Sequence, residues 1–524
     1  MLLTDIIERG ARNYPDRVAL TFRDQPTSFG EMAVAVRRLA AGFRALGIEP
    51  GERIGLLLPN CPPFVYAYYA AAMIGAVIVP SNPLLKPAEL AYIWRDCDLR
   101  AIVTVPQLLP VVQAARQSLP GLRHVISVSA REEMPDPAVA ETVSGFVALP
   151  DLMRQGAGRL TAGTMPDASE SDPQACAVII YTSGTTGYPK GAMLSHFNLM
   201  RNVEQVQEAF HFYPDDRFIT ILPLFHAFAG TVCMHTALAV GAASVLMEGF
   251  APARAFETME RHGVSILCGV PAIFHGLLQF SPDREYDLSK LRILVSGGAP
   301  LPAPTLHALE ARFQLPVLEG DGPTECSPAT SVNPLHGVRK VGSVGLPLPG
   351  VEIAIFDDDD NPVPTDAMGE IVVRGDNVML GYLNQPEATA EAMRGGWYHT
   401  GDIGKIDSDG YVYILDRKKD MILVGGLNVY PREVEEALFH HPAVADVAVI
   451  GLPDALRGEE VTAVVVRKPD STPTERELIG FCRERLANYK VPRTILFRDT
   501  LPRGGTGKVV KRLLKKELEL EPPV

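Results

Sequence analysis

The chain has 524 residues, 47% of them hydrophobic, with a formal net charge of -13. That length can bury large cores and should form more than one domain, and the acidity disfavours nucleic acid as a bulk electrostatic partner, because phosphate binding of that kind needs a basic face. Seven cysteines (Cys61, Cys97, Cys176, Cys233, Cys268, Cys326 and Cys482) are scattered without C-x-x-C spacing, mostly among apolar neighbours, so they read as reduced core residues of a cytoplasmic protein.

Residues 1–12 mix acidic and basic side chains with their only apolar patch, unlike a signal peptide. The longest apolar run, 64–79, lies between Pro63 and Pro80 and is shorter than the roughly 20 residues of a spanning helix. It reads as a buried helix running into a buried strand; no transmembrane segment is expected, and peripheral membrane contact or a homodimer stays open. Helical spacing over 29–46 and strands over 53–58 and 101–105 alternate, which implies parallel sheets with covered faces. The Pro-, Gly- and acid-rich stretch 131–172 reads as an irregular connection.

An apolar run at 175–180 leads into Y-T-S-G-T-T-G-Y-P-K-G at 181–191. Its glycines let backbone approach an anion while N–H and O–H groups point at it, which is how a chain grips a polyphosphate. The spacing is not that of a Walker loop, because Gly184 is followed five residues later by Pro189.

Ser195 caps a helix reaching about residue 210, and short strands follow at 218–222, 244–247, 265–268, 291–295 and 316–318. Glycine-rich turns follow the strands at T-S-G-T-T-G, at S-G-G-A-P (296–300) and at D-G-P-T-E (321–325). Ligands of open parallel sheets sit beyond the carboxyl ends of strands, so the three loops are expected at one sheet edge around one nucleotide.

From Val341 the pattern changes to short strands and tight turns, including an acidic turn at 357–360 that lacks the spacing of a calcium loop. After Y-H-T-G-D (398–402) and the charged run at 416–420, the last hundred or so residues carry their own helix and strand pattern, ending in a basic helix. The expected fold is α/β: a large N-terminal domain (1–418) of stacked α/β sheets plus a β-rich subdomain, and a small mobile α+β domain (419–524) hinged at the charged run.

With L-F-H-A-F-A (224–229), D-R-K-K-D-M-I (416–422), G-G-L-N-V-Y-P-R-E-V-E (425–435) and P-R-G-G-T-G-K (502–508), eight motifs stand in order across nearly the whole chain. In that order they resemble the adenylate-forming superfamily of acyl-CoA synthetases, luciferases and adenylation domains. The resemblance implies activation of a carboxylate with ATP and Mg2+ to an acyl-adenylate, followed by transfer to a thiol, here coenzyme A. It assigns Thr182, Ser183, Gly184, Thr185, Thr186, Gly187 and Lys190 to the phosphates, Thr324 to the α-phosphate, and Glu325 to magnesium, a hard carboxylate for a hard cation. It assigns Gly298, Ala299, Pro300, Asp321 and Gly322 to the base site, Asp402 and Arg417 to the ribose, and His226 to the mouth of the acyl pocket. Lys508 would bridge the acyl carboxylate and the α-phosphate; Lys419 would be the hinge, with Gly425, Gly426 and Leu427 beside the pantetheine tunnel.

The family usually has an aromatic residue where this chain has Asp321, so the stacking contact to adenine is in doubt. Lys511, Arg512, Lys515 and Lys516 read as a solvated basic helix. Amino-acid adenylation domains carry an aspartate near the histidine position, and 224–232 has no acid. Apolar and small residues at 227–232 and 267–278 suit a hydrocarbon tail. A medium- to long-chain fatty acyl-CoA ligase is the first expectation, an aromatic-acid ligase the second, and an acyl-AMP ligase loading a carrier protein the third. A non-catalytic nucleotide-binding module would be expected to lack Lys508, Glu325 or Asp402, and all three are present.

Overall fold

The computed structural model describes residues 1–129, 145–163, 172–183, 189–454, 456–504 and 509–520. The helix expected at 29–46 spans Phe29–Ala45 and starts at a reciprocal cap: the Ser28 hydroxyl accepts from the Glu31 N–H while the Glu31 carboxylate takes the Ser28 N–H. The apolar run at 64–79 divides into helix Pro62–Met73, with proline in its first turn where no N–H is needed, and strand Val77–Pro80. Both are buried, which is why neither shows an amphipathic pattern.

Two large sheets carry the N-terminal part. One has eight strands in the order 381–382, 189–195, 176–183, 77–80, 53–57, 99–104, 124–127, 146–148; the other has nine, running 346–347, 331–332, 317–321, 293–296, 266–269, 217–220, 243–246, 18–22, 25–28. Strand Val18–Phe22 pairs in parallel with Ala243–Leu246, so the first strand of the chain belongs to the sheet built mainly from its middle, which local pattern does not reveal. A continuous apolar core joins the facing sides of the two sheets.

The β-rich subdomain is a four-stranded antiparallel sheet of 351–356, 369–375, 398–406 and 412–417. Its acidic hairpin turn is tied down: Asp358 pairs with Lys418 and Asp360 with Arg394, both at 2.8 Å. Strands 422–424, 427–429, 444–454, 458–467 and 494–497 form a separate sheet, flanked by helices Pro431–Phe439, Glu475–Arg483 and Lys511–Leu520 over cores of their own. The last helix departs from the solvated one expected. Lys511 Nζ lies 2.8 Å from Glu435 on the helix Pro431–Phe439 and Lys515 Nζ 3.0 Å from Glu459 on the strand Gly458–Arg467, so charge ties this helix to one neighbouring helix and one strand, while Arg512 and Lys516 stay exposed.

Among the described residues no helix is long and apolar enough to cross a membrane. All seven cysteines are free, and six of them are buried.

Candidate active site

The phosphate-loop strand Cys176–Ser183 pairs antiparallel with Pro189–Ser195, with Thr182 opposite Lys190. The loop therefore closes a hairpin rather than leading a parallel strand into a helix. Gly184, Thr185, Thr186 and Gly187 lie outside the described residues, as does the side chain of Ser183. The expectation of three loops at one sheet edge is corrected here: the phosphate hairpin belongs to the eight-stranded sheet, while S-G-G-A-P and D-G-P-T-E leave the nine-stranded one.

The two sheets meet at Glu325. The Thr182 hydroxyl donates to Glu325 Oε1 at 3.1 Å, and the Tyr382 hydroxyl donates to the same oxygen at 3.0 Å. Tyr382 sits on the two-residue strand 381–382 that edges the phosphate hairpin, and Lys190 Nζ lies 5.0 Å from the centre of its ring. Glu325 is 8% exposed, in the short helical turn Thr324–Cys326, with Thr324 half-buried at its start. Gly322 is required just before it, because a Cβ there would stand 2.5 Å from the Pro328 carbonyl oxygen. Burial, then Glu325, raises the Tyr382 pKa, keeping the phenol protonated as a donor. Tyr382 escaped the motif reading because it follows no glycine loop, and the G-Y-L-N segment that carries it bears no local mark of function.

Asp402 and Arg417, the residues expected at the ribose, stand opposite each other on adjacent antiparallel strands, with Nε 2.6 Å from Oδ1. Asp402 is buried, and its charge is the main cause of the raised Arg417 pKa, with Asp321 and Glu325 adding to the same field. Asp321 thus adds negative charge to the field at Arg417, and as an aspartate it offers no ring for stacking.

At the loops expected to hold the base, strands Ile293–Ser296 and Val317–Asp321 are parallel neighbours, and the loop after the first holds Gly298 at φ +75°. Gly298 and Pro300 are exposed and Ala299 is half-buried, leaving an open face. Beneath it Glu319 accepts the Leu301 N–H at 2.9 Å, while its Oε2 is buried with no partner among the described residues. Burial pushes this carboxyl up to about 7.

His226 follows the Pro223 turn, and its Nδ1 accepts the Phe228 N–H at 3.3 Å. It lines a cavity of about 10 Å³ with Tyr68, Leu199, Phe225, Thr231 and His235. That holds about one water molecule, too little for the acyl group expected beside His226. The lining takes Ala227, Gly230 and Thr231 from the expected segment but no residue of 267–278, which contributes instead to the strand and helix behind.

Lys419 is exposed in the turn 418–420 that links the four-stranded sheet to the small-domain sheet. Gly425 and Gly426, at φ +58° and +84°, make the two-residue turn of the hairpin whose register pairs Val424 with Leu427, and Leu427 is 51% exposed. Lys508 lies outside the described residues.

A glycine-rich hairpin, a buried glutamate and a buried aspartate, drawn from three sheets and followed by a small α+β domain, give the frame of an adenylate-forming enzyme. The chain belongs to the AMP-binding enzyme family: the AMP-binding enzyme model matches residues 7–383 and the AMP-binding enzyme C-terminal domain matches 433–508. It is 35% identical over 536 aligned positions to the long-chain-fatty-acid–CoA ligase of Bacillus subtilis (strain 168), covering 99% of this chain and 95% of that one. It is 38% identical to a feruloyl-CoA synthase of Amycolatopsis sp, covering 96% of each. Among solved structures, the anthranilate CoA ligase AuaEII in complex with anthranoyl-AMP superposes with a TM-score of 0.89 at 29% identity, over 99% of this chain and 97% of that one. ATP-bound MatB from Rhodopseudomonas palustris gives 0.87 at 31% identity, over 99% of each. The enzyme class is that of an AMP-forming acid–thiol ligase.

Proposed function

We propose that the chain activates a medium- to long-chain fatty acid with ATP and passes the acyl group to coenzyme A. In the first step a carboxylate oxygen attacks the α-phosphorus, forming acyl-AMP and expelling pyrophosphate. In the second the coenzyme A thiol, losing its proton, attacks the acyl carbon and AMP departs. The observation that carries the nucleotide part is the shared Glu325 oxygen, which brings the phosphate hairpin and the D-G-P-T-E loop from different sheets to one point.

The site suits Mg2+, which takes one or two protein carboxylates and fills the rest of its shell from phosphates and water. Glu325 offers one carboxylate beside the phosphate hairpin, and no group of three or more acidic, histidine or cysteine side chains able to hold a metal occurs among the described residues. The bound ion would neutralise phosphate charge; Thr182 and Tyr382 orient the carboxylate that holds it. Asp402 and Arg417 would take the ribose, and Lys508 would place its charge between the two reacting anions. Residues 1–418 would hold the nucleotide while 419–524 turn about Lys419, bringing Gly425, Gly426 and Leu427 to the pantetheine arm for the second step.

The fatty-acid reading is supported by the apolar lining behind His226 and by the Bacillus relative. The aromatic-acid reading draws on the small size of that cavity and on the feruloyl-CoA synthase relative. Pyrophosphate release measured over fatty and aromatic acids, with and without coenzyme A, separates them: turnover confined to aromatic acids rules out the first, and release without a thioester product rules out coenzyme A as acceptor.

A further inference from the structure

Beyond His226 the helix running through 227–239 takes the π form over Ala229–Thr236, a rare geometry that recurs at functional sites. It sets one polar ring, His235, 1% exposed, in largely apolar surroundings. The Tyr69 hydroxyl lies 2.7 Å from His235 Nδ1, and the rings of Tyr68 and Tyr69 pack on the imidazole with centroids at 4.9 and 5.5 Å. Position and tilt of the ring are therefore held from two sides.

That hydrogen bond also decides where the imidazole proton sits. Burial depresses the His235 pKa to about 3 and raises that of Tyr69, so both groups are neutral at physiological pH. A neutral phenol has one proton. Given to Nδ1, it leaves the imidazole proton on Nε2; the reverse arrangement would strand the Tyr69 O–H in the core with no acceptor among the described residues. Nε2 is itself buried and has no partner among the described residues, and His235 lines the same cavity as His226.

We propose that His235 Nε2–H is a specificity contact for an oxygenated acid: the preferred substrate carries, on its acyl body away from the carboxylate, a neutral oxygen acceptor such as a hydroxyl, ether or keto group. The proposal rests on the acyl-CoA ligase reading and narrows its substrate class. A plain hydrocarbon leaves a buried N–H unpaired when it displaces water from the cavity, whereas an oxygenated group replaces the lost bond. Sites built around such a donor discriminate strongly against analogues that lack the acceptor.

The test uses matched acids: medium- and long-chain fatty acids against their hydroxy and keto derivatives, and a cinnamic-type acid with and without ring hydroxyl or methoxy groups. Pyrophosphate release gives kcat/KM, and isothermal titration calorimetry gives acid binding without turnover. At least one oxygenated acid is expected to exceed its parent by roughly ten- to a hundredfold. His235→Leu should erase that gap by raising KM for the oxygenated acid alone, His235→Gln should restore part of it, and Tyr69→Phe should narrow it. Tyr69→Phe carries the test if His235→Leu does not fold. Parity across every pair, or equal loss for both members of a pair in the variants, overturns the proposal and leaves Nε2 as a donor to ordered water. If no acid releases pyrophosphate the ligase reading fails by itself, and the calorimetric comparison still decides whether His235 selects oxygen.

Discussion

Arg417 meets Asp402 across two antiparallel strands, Nε to Oδ1 at 2.6 Å, at the last strand pair before the chain passes into the small domain. The Asp402 side chain is 10% exposed and that of Arg417 is 42% exposed, so solvent screens the arginine but hardly the carboxylate. Arg417→Ala leaves a buried charge short of its counter-ion. We expect a stability loss of about 1–2 kcal/mol, below the range for a fully buried pair because of that screening, and a KM for ATP raised about tenfold. Thermal unfolding and ATP titration check both, and an unchanged KM would remove Arg417 from the nucleotide site.

Two hydroxyls converge on one Glu325 oxygen, so Thr182 and Tyr382 act as a unit. Tyr382→Phe removes one donor while keeping the ring under Lys190, and should raise the magnesium concentration needed for half-maximal adenylation about fivefold, the worth of about 1 kcal/mol. Thr182→Val should do the same, and the double variant should depart from additivity because the two share one acceptor. Strict additivity would mean that the two donors serve different groups.

Glu319 has a pH signature with a definite sign. Its carboxyl sits at about 7 in the folded chain against a reference of 4.5, and burial is the cause. Below the lower value the group is protonated in both states and makes no difference. As pH rises from there to about 7 the unfolded chain loses this proton first, so folding stability falls, and above it the penalty is complete, on the order of 3 kcal/mol. Glu319→Gln keeps an oxygen for the Leu301 N–H and abolishes the titration. Chemical denaturation should therefore show the variant gaining on the native chain with rising pH and matching it at acidic pH; a gap independent of pH would refute the buried-acid assignment.

Lys508 and Lys419 are expected to separate the half-reactions. Lys508→Ala should abolish acyl-adenylate formation yet spare thioester formation from supplied acyl-adenylate. Lys419→Pro, which fixes φ in the linking turn, should do the reverse. Pyrophosphate release and thioester synthesis assayed apart give the answer, and equal loss of both steps in either variant would deny it its role.

Asp321→Tyr would supply a stacking ring at the position proposed for the base, worth on the order of 1 kcal/mol. The same change removes a negative charge from the field on Arg417. A modest fall in KM for ATP is expected, with the products unchanged. Loss of activity would show that the carboxylate itself is required.

Order was legible along the chain: the helical spacing from Phe29, the capped helix at Ser195 and the glycine-rich turns all have short-range causes in backbone freedom, periodicity and capping. Which sheet each turn leaves from was not legible, because strand partners are chosen by long-range burial: Val18–Phe22 joins Ala243–Leu246, and the phosphate hairpin joins a different sheet from the two loops it serves. Tyr382 and His235 escaped for the same reason. Neither lies in a recognisable motif, and each acquires its role only when folding brings it against a group far away in the chain, Glu325 for the first and Tyr69 for the second. Local pattern can say that a residue is buried or polar; only packing decides what that polar atom faces, here the Glu325 carboxylate for Tyr382 and the Tyr69 hydroxyl for His235.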